Sequence, residues 1–345
     1  MLNEKQMSVV KCKESKVLVN AAAAAGKTAC LIARIEYLLK SGVSADKIVA
    51  ITFTNNAAAE MYARLGRPEN LFIGTVHSYC NYLLRAGGIS TSKVLEKQQF
   101  DELFSIIKKN KHCIKEVDHL IVDEAMDSTR EQFEFFELIH PKNFMYFYDI
   151  RQSIYGFADA DPDYLIRLAR DPEIVTYRLN QNYRNEKEIL SFAKRQLWKL
   201  GDEFADDSIP MRTGRGSVKE GQLSLEGIAD LLKNETYGDW FILCRTNQEI
   251  QDFLTVFNKK KIPCDTFKQG DLDNAQIQEK MKENTVKILT IHSAKGLEAK
   301  KVLVYNPIAW NDEGRRLLYV AATRARDELL WIKPLKKKKP KTYNW

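Results

Sequence analysis

Gly26-Lys27-Thr28 is the segment of this sequence whose residue types and order best suit phosphate chemistry. In a P-loop, backbone N–H groups at a helix N-terminus hold phosphate oxygens, the lysine neutralises the terminal phosphates and the threonine hydroxyl binds Mg²⁺. Five alanines precede it, and Ala21 stands where the leading glycine is usual. Alanine lacks glycine's freedom at positive φ. The loop alone therefore leaves two alternatives, a nucleotide site and an alanine-rich helix start.

A pair of carboxylates that ends the apolar run 120–122 is the second chemical signal. At the carboxyl end of a strand, Asp123 can hold Mg²⁺ through water, and Glu124 can polarise the attacking water. The alternative is an ordinary exposed acidic turn. A P-loop about 95 residues upstream in the same α/β unit favours the metal site.

Short apolar runs alternate with helical patterns, and these elements would position both signals. Runs rich in β-branched or aromatic residues predict buried strands, at residues 17–19, 48–51, 120–122, 144–147, 174–177, 240–243, 286–290, 301–304 and 329–332. Helices are predicted over residues 28–40, 186–200, 247–259 and 313–323. Such alternation is typical of parallel sheets. The sequence therefore predicts an α/β protein of two tandem domains that meet near residues 178–186, with a surface loop at 212–217.

Composition excludes several classes of protein. The 345 residues are 44% hydrophobic and 29% charged, which is ordinary for a globular chain and excludes collagen and low-complexity disorder. No apolar run is long enough to span a bilayer, and the polar start lacks a signal-peptide core, so a cytoplasmic or nucleoid-associated, non-secreted protein is expected. The formal charge of +7 permits a polyanionic partner. Six lysines in residues 333–341 predict a solvated basic tail, with extra nucleic-acid affinity as the alternative.

The six cysteines show no zinc or disulfide spacing, so buried thiols are expected and a structural metal is not.

Eight segments, taken in order, are similar to the motifs of one family. The chain resembles the UvrD/Rep/PcrA-type superfamily 1 DNA helicases over nearly its whole length. The segments are LNEKQ (2–6, Q motif), ITFTNNAAAEM (51–61, Ia), GTVHS (74–78, Ib), DEAMD (123–127, II), DIRQSIYGF (149–157, III), LNQNYR (179–184, IV), TIHSAKGLE (290–298, V) and RRLLYVAATRA (315–325, VI).

The resemblance implies two tandem RecA-like P-loop NTPase domains with parallel sheets flanked by helices. It places the first domain at 1–180, with a short 1B-like stub near 85–115, the second at 181–332, and a basic tail at 333–345. It implies ATP and Mg²⁺ as cofactors and a catalytic set of Lys27, Asp123, Glu124, Gln152, Arg184 and Arg324. The two arginines would reach across the cleft between domains, so that hydrolysis depends on domain closure.

The implied ATP-binding set contains Gln6 at the adenine edge, Tyr183 on its face, Glu298 at the ribose, and Ala22, Ala23, Ala24, Ala25, Gly26, Lys27 and Thr28 at the phosphates. Thr28 and Asp123 would hold the metal. Surface ion pairs are the alternative for the arginines, and a core position is the alternative for Tyr183.

The implied DNA track combines stacking aromatics with polar groups. The aromatics are Phe53, Tyr155 and Phe157, and the polar residues are Asn55, Thr75, His77 and His292. Phe157 stands where the family commonly has Trp. Both histidines could instead serve in the core or in turns.

The chain departs from the family pattern at its P-loop, where glycine is usual at Ala22 and Ala24, and at Met126, Tyr148 and Ala29. These departures predict weakened nucleotide affinity rather than a dead site. His77 to Asp123 spans 46 positions and Arg245 to His292 spans 47, where relatives insert the 1B and 2B accessory domains. A minimal motor is expected, with most of 1B and all of 2B missing.

The leading hypothesis is an ATP-dependent helicase or translocase that moves 3′-to-5′ on single-stranded DNA and at single/double-strand junctions. A monomer is expected, with an accessory protein for processive unwinding and no membrane partner. The alternative from another class is a nucleotide-gated single-strand-binding protein with weak or no hydrolysis. An RNA motor stays open, because nothing identifiable would recognise a 2′-hydroxyl.

Overall fold

The computed structural model describes residues 2–268 and 271–335. The described chain divides into two compact units. Unit 1 runs to Tyr183 and also contains Leu200–Ile209, whereas unit 2 contains Arg184–Lys199 and the chain from Pro210 onward. The expected domain boundary at residue 180 placed all of 200–209 in the second domain. The structure differs there because Arg151 of unit 1 pairs with Asp206, N to O 3.1 Å, and holds that segment.

Unit 1 is an α/β unit whose elements alternate along the chain. Its strands are β1 Lys16–Ala21, β2 Ile48–Ile51, β3 Phe72–Gly74, β4 His119–Val122, β5 Asn143–Tyr148 and β6 Val175–Leu179. Its helices are α1 Glu4–Lys11, α2 Lys27–Lys40, α3 Asn55–Arg64, α4 Val76–Ala86, α5 Ser92–Glu96, α6 Glu102–Lys109, α7 Arg130–Ile139 and α8 Pro162–Leu168. The strands form one sheet in the order β3-β2-β4-β5-β1-β6.

The sheet of unit 1 is buried on both faces, which is why its strands read as continuous apolar runs. Leu120 and Val122 of β4 pack into one hydrophobic cluster, and Ile121 between them packs into the other. Side chains alternate in the same way along β1, where Leu18 and Val19 face opposite clusters. Every strand pair in this sheet is parallel, so all six carboxyl ends lie at one edge.

Helices begin directly at that edge. Thr54, Thr75 and Thr129 cap α3, α4 and α7 by accepting a hydrogen bond from a backbone N–H in the first turn. Helix α2 is different, because its N-cap is Gly26 and no side chain caps it. Its first N–H groups therefore point toward the loop 21–25.

The connecting segment contains β7 Gln181–Asn182, α9 Lys187–Arg195 and β8 Ile209–Pro210. Strands β7 and β8 pair with each other. Helix α9 ends at Arg195, five residues before the predicted end.

Unit 2 has the same alternating construction. After α9 its elements are β9 Ser217–Leu223, α10 Leu225–Leu232, β10 Trp240–Cys244, α11 Asn247–Lys259, β11 Cys264–Asp265, α12 Asn274–Lys282, β12 Val286–Thr290, β13 Ala299–Tyr305, α13 Asp312–Ala322 and β14 Ala325–Pro334. The sheet order is β11-β12-β10-β13-β14-β9, and each pair is parallel. One face packs on a cluster centred on Trp240, Phe253 and Phe257.

The predicted α/β class with parallel sheets is confirmed, and each predicted strand lies within or overlaps an observed one. Two details were wrong. Ser217, assigned to a loop, begins the edge strand β9, and Arg212 of the same stretch forms ion pairs with Glu186 and Asp327. The first two residues of the predicted tail belong to β14, while residues 336–345 of that tail lie outside the described residues. Within residues 2–268 and 271–335, no helix combines the length and apolarity needed to cross a bilayer.

Candidate nucleotide and nucleic-acid site

The loop 21–25 connects β1 to α2 and curls over the uncapped helix N-terminus. Ala24 adopts φ +57° and Gly26 adopts φ +80°. A side chain at Gly26 would also meet the amide nitrogen of Gln6 at 2.7 Å. Glycine is therefore required at 26, whereas Ala24 carries the left-handed backbone at a steric cost.

Neighbouring side chains brace the outside of this loop. Gln6 donates from Nε2 to the Ala25 carbonyl at 3.0 Å, and Asn182 donates from Nδ2 to the Ala23 carbonyl at 3.0 Å. The backbone N–H of Tyr183 donates to the Ala24 carbonyl at 3.2 Å. These three hydrogen bonds fix the loop through its carbonyls, beside the uncapped N-terminus of α2. The N–H groups of such a helix N-terminus suit the oxygens of a phosphate.

Lys27 projects from the first residue of α2 toward the carboxylates at the end of β4. Its ammonium lies 3.2 Å from Oε1 of Glu124. Burial lowers the pKa of Lys27, but the negative charges of Glu124, Asp149 and Asp123 outweigh burial, so the pKa of Lys27 lies above its ordinary value. The lysine is therefore charged at neutral pH. A phosphate arriving at Lys27 would compete with Glu124 for the ammonium.

Asp123 and Glu124 follow β4 directly, as predicted. Asp123 is buried and accepts a hydrogen bond from the Glu124 N–H at 3.0 Å. Glu124 holds a left-handed backbone at φ +51°, which turns it toward Lys27. Among the described residues no cluster of three or more His, Cys, Asp or Glu forms a ready-made metal site. Mg²⁺ commonly uses one or two protein oxygens and completes its shell with water and phosphate. The two predicted ligands are Thr28, in the first turn of α2, and Asp123, directly after β4.

Gln152 is fixed by Asp149, which was not among the predicted site residues. Its Nε2 donates to Oδ2 of Asp149 at 2.7 Å. Asp149 is fully buried and also accepts from the backbone and side chain of Arg151, which in turn pairs with Asp206. The signal that could have found Asp149 is its position immediately after β5, at the same sheet edge as Asp123.

The predicted adenine-side residues lie beside the same loop. Tyr183 is 45% exposed, and its hydroxyl donates to Gln181 and accepts from Asn3, each at 2.7 Å. The ring is thus held next to the loop with much of its surface open. Gln6 is buried, and its Oε1 accepts from the Asn3 N–H while its Nε2 holds Ala25. Gln6 therefore both caps α1 and braces the phosphate loop.

The predicted stacking aromatics contact one another in unit 1, with Tyr155 between Phe53 and Phe157. The rings of Phe53 and Tyr155 stack at 4.9 Å between centroids with an interplanar angle of 27°, and Phe157 meets Tyr155 edge-on at 5.8 Å. Phe157 is 71% exposed and Phe53 42% exposed. Exposed aromatic faces of this kind suit unstacked nucleobases.

A pocket of about 210 Å³ joins the aromatic group to the carboxylates. Its walls include Phe53, Thr75 and His77 from the predicted DNA track, and Asp123 and Glu124 from the predicted ATP site. Burial raises the pKa of the Tyr155 hydroxyl, and the nearby charges of Asp127 and Glu124 raise it further. The two halves of the site therefore lie within electrostatic reach of each other.

The polar residues of the predicted track have mixed surroundings. Thr75 accepts from the Ser78 N–H at 3.2 Å, so its hydroxyl caps α4. His77 lies 3.1 Å from Asp101 and packs against Phe100 and Phe104. Asn55 is exposed in the first turn of α3.

Unit 2 carries the remaining predicted residues. Nε of Arg184 lies 2.5 Å from Oε2 of Glu298, and its Nη1 donates to the Thr323 carbonyl at 3.2 Å. Arg324 is buried and donates to the carbonyls of Val320 at 3.0 Å and Leu297 at 3.3 Å. The fold therefore brings Arg184, Glu298 and the segment 323–324 together. His292 lies in the turn after β12, within the same unit but on a separate segment.

These features define a P-loop NTPase built from two RecA-like units. They are the loop 21–25, the Lys27–Glu124 pair and a parallel sheet in each unit. Family comparison makes this specific. Residues 2–115 and 102–173 match the UvrD/REP helicase N-terminal domain, and residues 177–276 and 285–332 match models of the UvrD-like helicase C-terminal domain. The chain belongs to the UvrD-like helicase family.

Individual relatives are distant in sequence. A probable DNA helicase of Mycoplasma pneumoniae is 24% identical, over 96% of this chain and 83% of the relative. A probable DNA helicase II homolog of Mycoplasma capricolum subsp. capricolum is 24% identical over 76% of this chain and 51% of the relative. The ATP-dependent DNA helicase PcrA of Staphylococcus aureus is 25% identical over 76% of this chain and 50% of the relative. The chain thus spans about half the length of the last two.

Proposed function

We propose that this chain is an ATP-driven motor that moves along single-stranded DNA in the 3′-to-5′ direction and unwinds duplex or displaces bound proteins. The observation that carries the proposal is the shared pocket of unit 1. Asp123 and Glu124, which suit phosphate chemistry, line the same cavity as Phe53, which suits base stacking. A change of charge at the carboxylates would alter the electrostatic potential at the aromatic group.

The roles within the proposed ATP site follow from the contacts. Lys27 would compensate the terminal phosphates, Glu124 would accept a proton from the attacking water, and Gln152, fixed by Asp149, would orient that water. Bound Mg²⁺, held by Thr28 and Asp123, would supply further compensation of phosphate charge. Arg184 and Arg324 would complete the compensation from unit 2, as the family resemblance implies.

Steady-state ATP hydrolysis with and without an oligo(dT) strand tests the proposal. We expect the strand to raise turnover. Glu124→Gln removes the general base at nearly constant size, so turnover should fall about 10²- to 10⁴-fold while ATP and DNA binding persist. Glu131→Gln, a change at a partly exposed position of α7, is the matched control and should leave turnover intact. Equal, slow hydrolysis by wild type and Glu124→Gln would refute the motor.

Direction and unwinding need a separate measurement. Duplexes with a 3′ or a 5′ single-stranded tail, assayed beside streptavidin displacement from tailed strands, distinguish a helicase from a translocase. Unwinding only of the 3′-tailed duplex is expected. Streptavidin release without unwinding would indicate a translocase that needs an accessory protein. Preference for the 5′ tail would contradict the polarity.

A nucleotide-gated strand-binding protein with little hydrolysis is the second candidate. The observation in its favour is Ala24, which holds φ +57° without glycine's freedom. ATP-dependent strand affinity without strand-stimulated turnover would identify this alternative. The same assays with a ribonucleotide strand of equal length test whether DNA is the preferred track.

A further inference from the structure

Trp310 lies on the loop between β13 and α13 of unit 2, and 78% of its side chain is exposed. No large apolar side chain among the described residues is more exposed. An indole is costly to leave in water and gains much when a partner covers it. The position lies outside every segment to which the family resemblance gave a role.

The indole is supported from one side by a cation. The guanidinium carbon of Arg245 lies 4.1 Å from the ring centroid of Trp310, and Nη1 of Arg245 donates to the Ile308 carbonyl of the same loop. Such a cation–π contact fixes the ring and leaves its other face available.

A single carboxylate ties the two supporting loops together. Glu249 at the start of α11 accepts from the N–H of Arg245 at 2.8 Å through Oε2. Its other oxygen, Oε1, accepts from Nδ2 of Asn306 at 2.9 Å, at the end of β13. The loop that carries Arg245 and the loop that carries Trp310 are therefore anchored to one group, and the platform is built into the fold.

The platform stands at the carboxyl edge of the unit 2 sheet, where ligands of open α/β sheets bind. Strands β12, β10 and β13 are neighbours there, with Cys244 opposite Thr290 and Leu243 opposite Val304. The N–H of Ile291 donates to the Cys244 carbonyl at 2.9 Å. His292, a predicted DNA contact, thus follows the strand next to the one that Arg245 follows.

We propose that Trp310, backed by Arg245, is a stacking platform for one nucleobase of the single strand. An open aromatic face beside a cation matches both parts of a single strand, the flat base and the anionic backbone. The inference rests on the proposed function, because it assigns to unit 2 a base contact with the single strand.

Strand affinity of the full chain tests the platform. Trp310→Ala should weaken binding of a fluorescent oligo(dT) about fivefold to a hundredfold, and Trp310→Phe should retain most of the affinity. Trp198→Ala is the matched control, because Trp198 is 76% exposed in the same unit with the Lys199 ammonium 6.0 Å from its ring. It should bind like wild type.

An abasic strand of the same length isolates stacking from backbone contact. Since it presents phosphates without bases, Trp310→Ala and wild type should bind it equally. Equal affinity of Trp310→Ala and wild type for oligo(dT) would overturn the platform while the proposed function stands. An equal loss on both strands would also overturn it, because the effect would then act through the loop and not through a base. Failure of the wild type to bind oligo(dT) would refute the proposed function itself.

Discussion

The two units hold their candidate functional groups with different partners. In unit 1 carboxylates do the holding, with Glu124 at Lys27 and Asp149 at both Gln152 and Arg151. In unit 2 Arg324 donates to the backbone carbonyls of Val320 and Leu297.

The difference has an electrostatic meaning. A carboxylate neutralises the cation that it holds, and removing one partner of such a buried pair leaves a charge without compensation. A carbonyl fixes a guanidinium without cancelling its charge, so the charge stays available to stabilise an anion. Substitution of Asp149 in unit 1 is therefore expected to act mainly on stability, and substitution of Arg324 in unit 2 mainly on turnover.

Arg324→Ala should give the largest effect on turnover. If Arg324 stabilises charge developing on the transferred phosphoryl group, kcat should fall about 10³- to 10⁵-fold. Arg324→Lys should not restore it, because an ammonium cannot reproduce the forked guanidinium contacts. Steady-state ATPase assays measure both.

Arg326→Ala is the control for that substitution, because the side chain of Arg326 is half-exposed. Its guanidinium forms a long surface ion pair with Glu298, N to O 3.8 Å. Its turnover should change less than threefold. A similar loss in Arg326→Ala would remove the distinction between the two arginines.

Asp149→Asn should cost the most stability. It weakens the hold on Arg151 and Gln152 in a buried setting, so the free energy of unfolding should drop by about 3–5 kcal/mol in urea titrations. Glu298→Gln in unit 2 should cost less than about 1 kcal/mol, because its pair with Arg184 is partly exposed. Equal costs would contradict the proposed difference between the units.

Ala24→Gly should relieve the left-handed backbone of the phosphate loop. We expect a gain of about 1 kcal/mol in unfolding free energy and a lower KM for ATP, because glycine adopts φ +57° without strain. Ala22→Gly is the matched control. Ala22 is not among the positive-φ residues, so added flexibility there should destabilise the fold by about 0.4–1 kcal/mol. A KM that rises in Ala24→Gly would show that the loop geometry does not limit nucleotide affinity.

His119, at the start of β4, should give the smallest effect, seen in the pH dependence of stability. Burial, helped by the charge of Arg34, lowers the pKa of His119 below its ordinary 6.5, although Asp118 opposes the shift. The unfolded chain then binds the proton more readily, so stability is complete above pH 6.5 and declines as the pH falls below it. His119→Gln should flatten this decline in thermal unfolding, and His112→Gln at an exposed position should not.

Much of the fold could be predicted because burial dictated residue type. The strands at residues 48–51, 240–243 and 286–290 are covered on both faces, so nearly every position is apolar. Strand β9 escaped prediction because it lies at a sheet edge, where Lys219 and Glu220 are exposed and satisfy no apolar pattern.

The candidate site also contains both residues that the sequence could predict and residues that it could not. Lys27, Asp123 and Glu124 could be proposed from the sequence only because two signals occur in one α/β unit, since each signal alone leaves an alternative. The role of Asn182 could not be predicted, because the Ala23 carbonyl to which it donates lies 159 residues away in sequence. Nothing in the local sequence encodes the support of Arg151 by Asp206, fifty-five residues away.

The return of residues 200–209 to unit 1 limits how the protein can be dissected. A fragment that stops at Tyr183 would contain the phosphate loop but would lack Ala205 and Asp206, both of which bind Arg151. The chain passes from one unit to the other three times, so no single proteolytic cleavage or truncation yields either unit intact. A chimera that exchanges unit 1 with that of a relative would need to include residues 200–209.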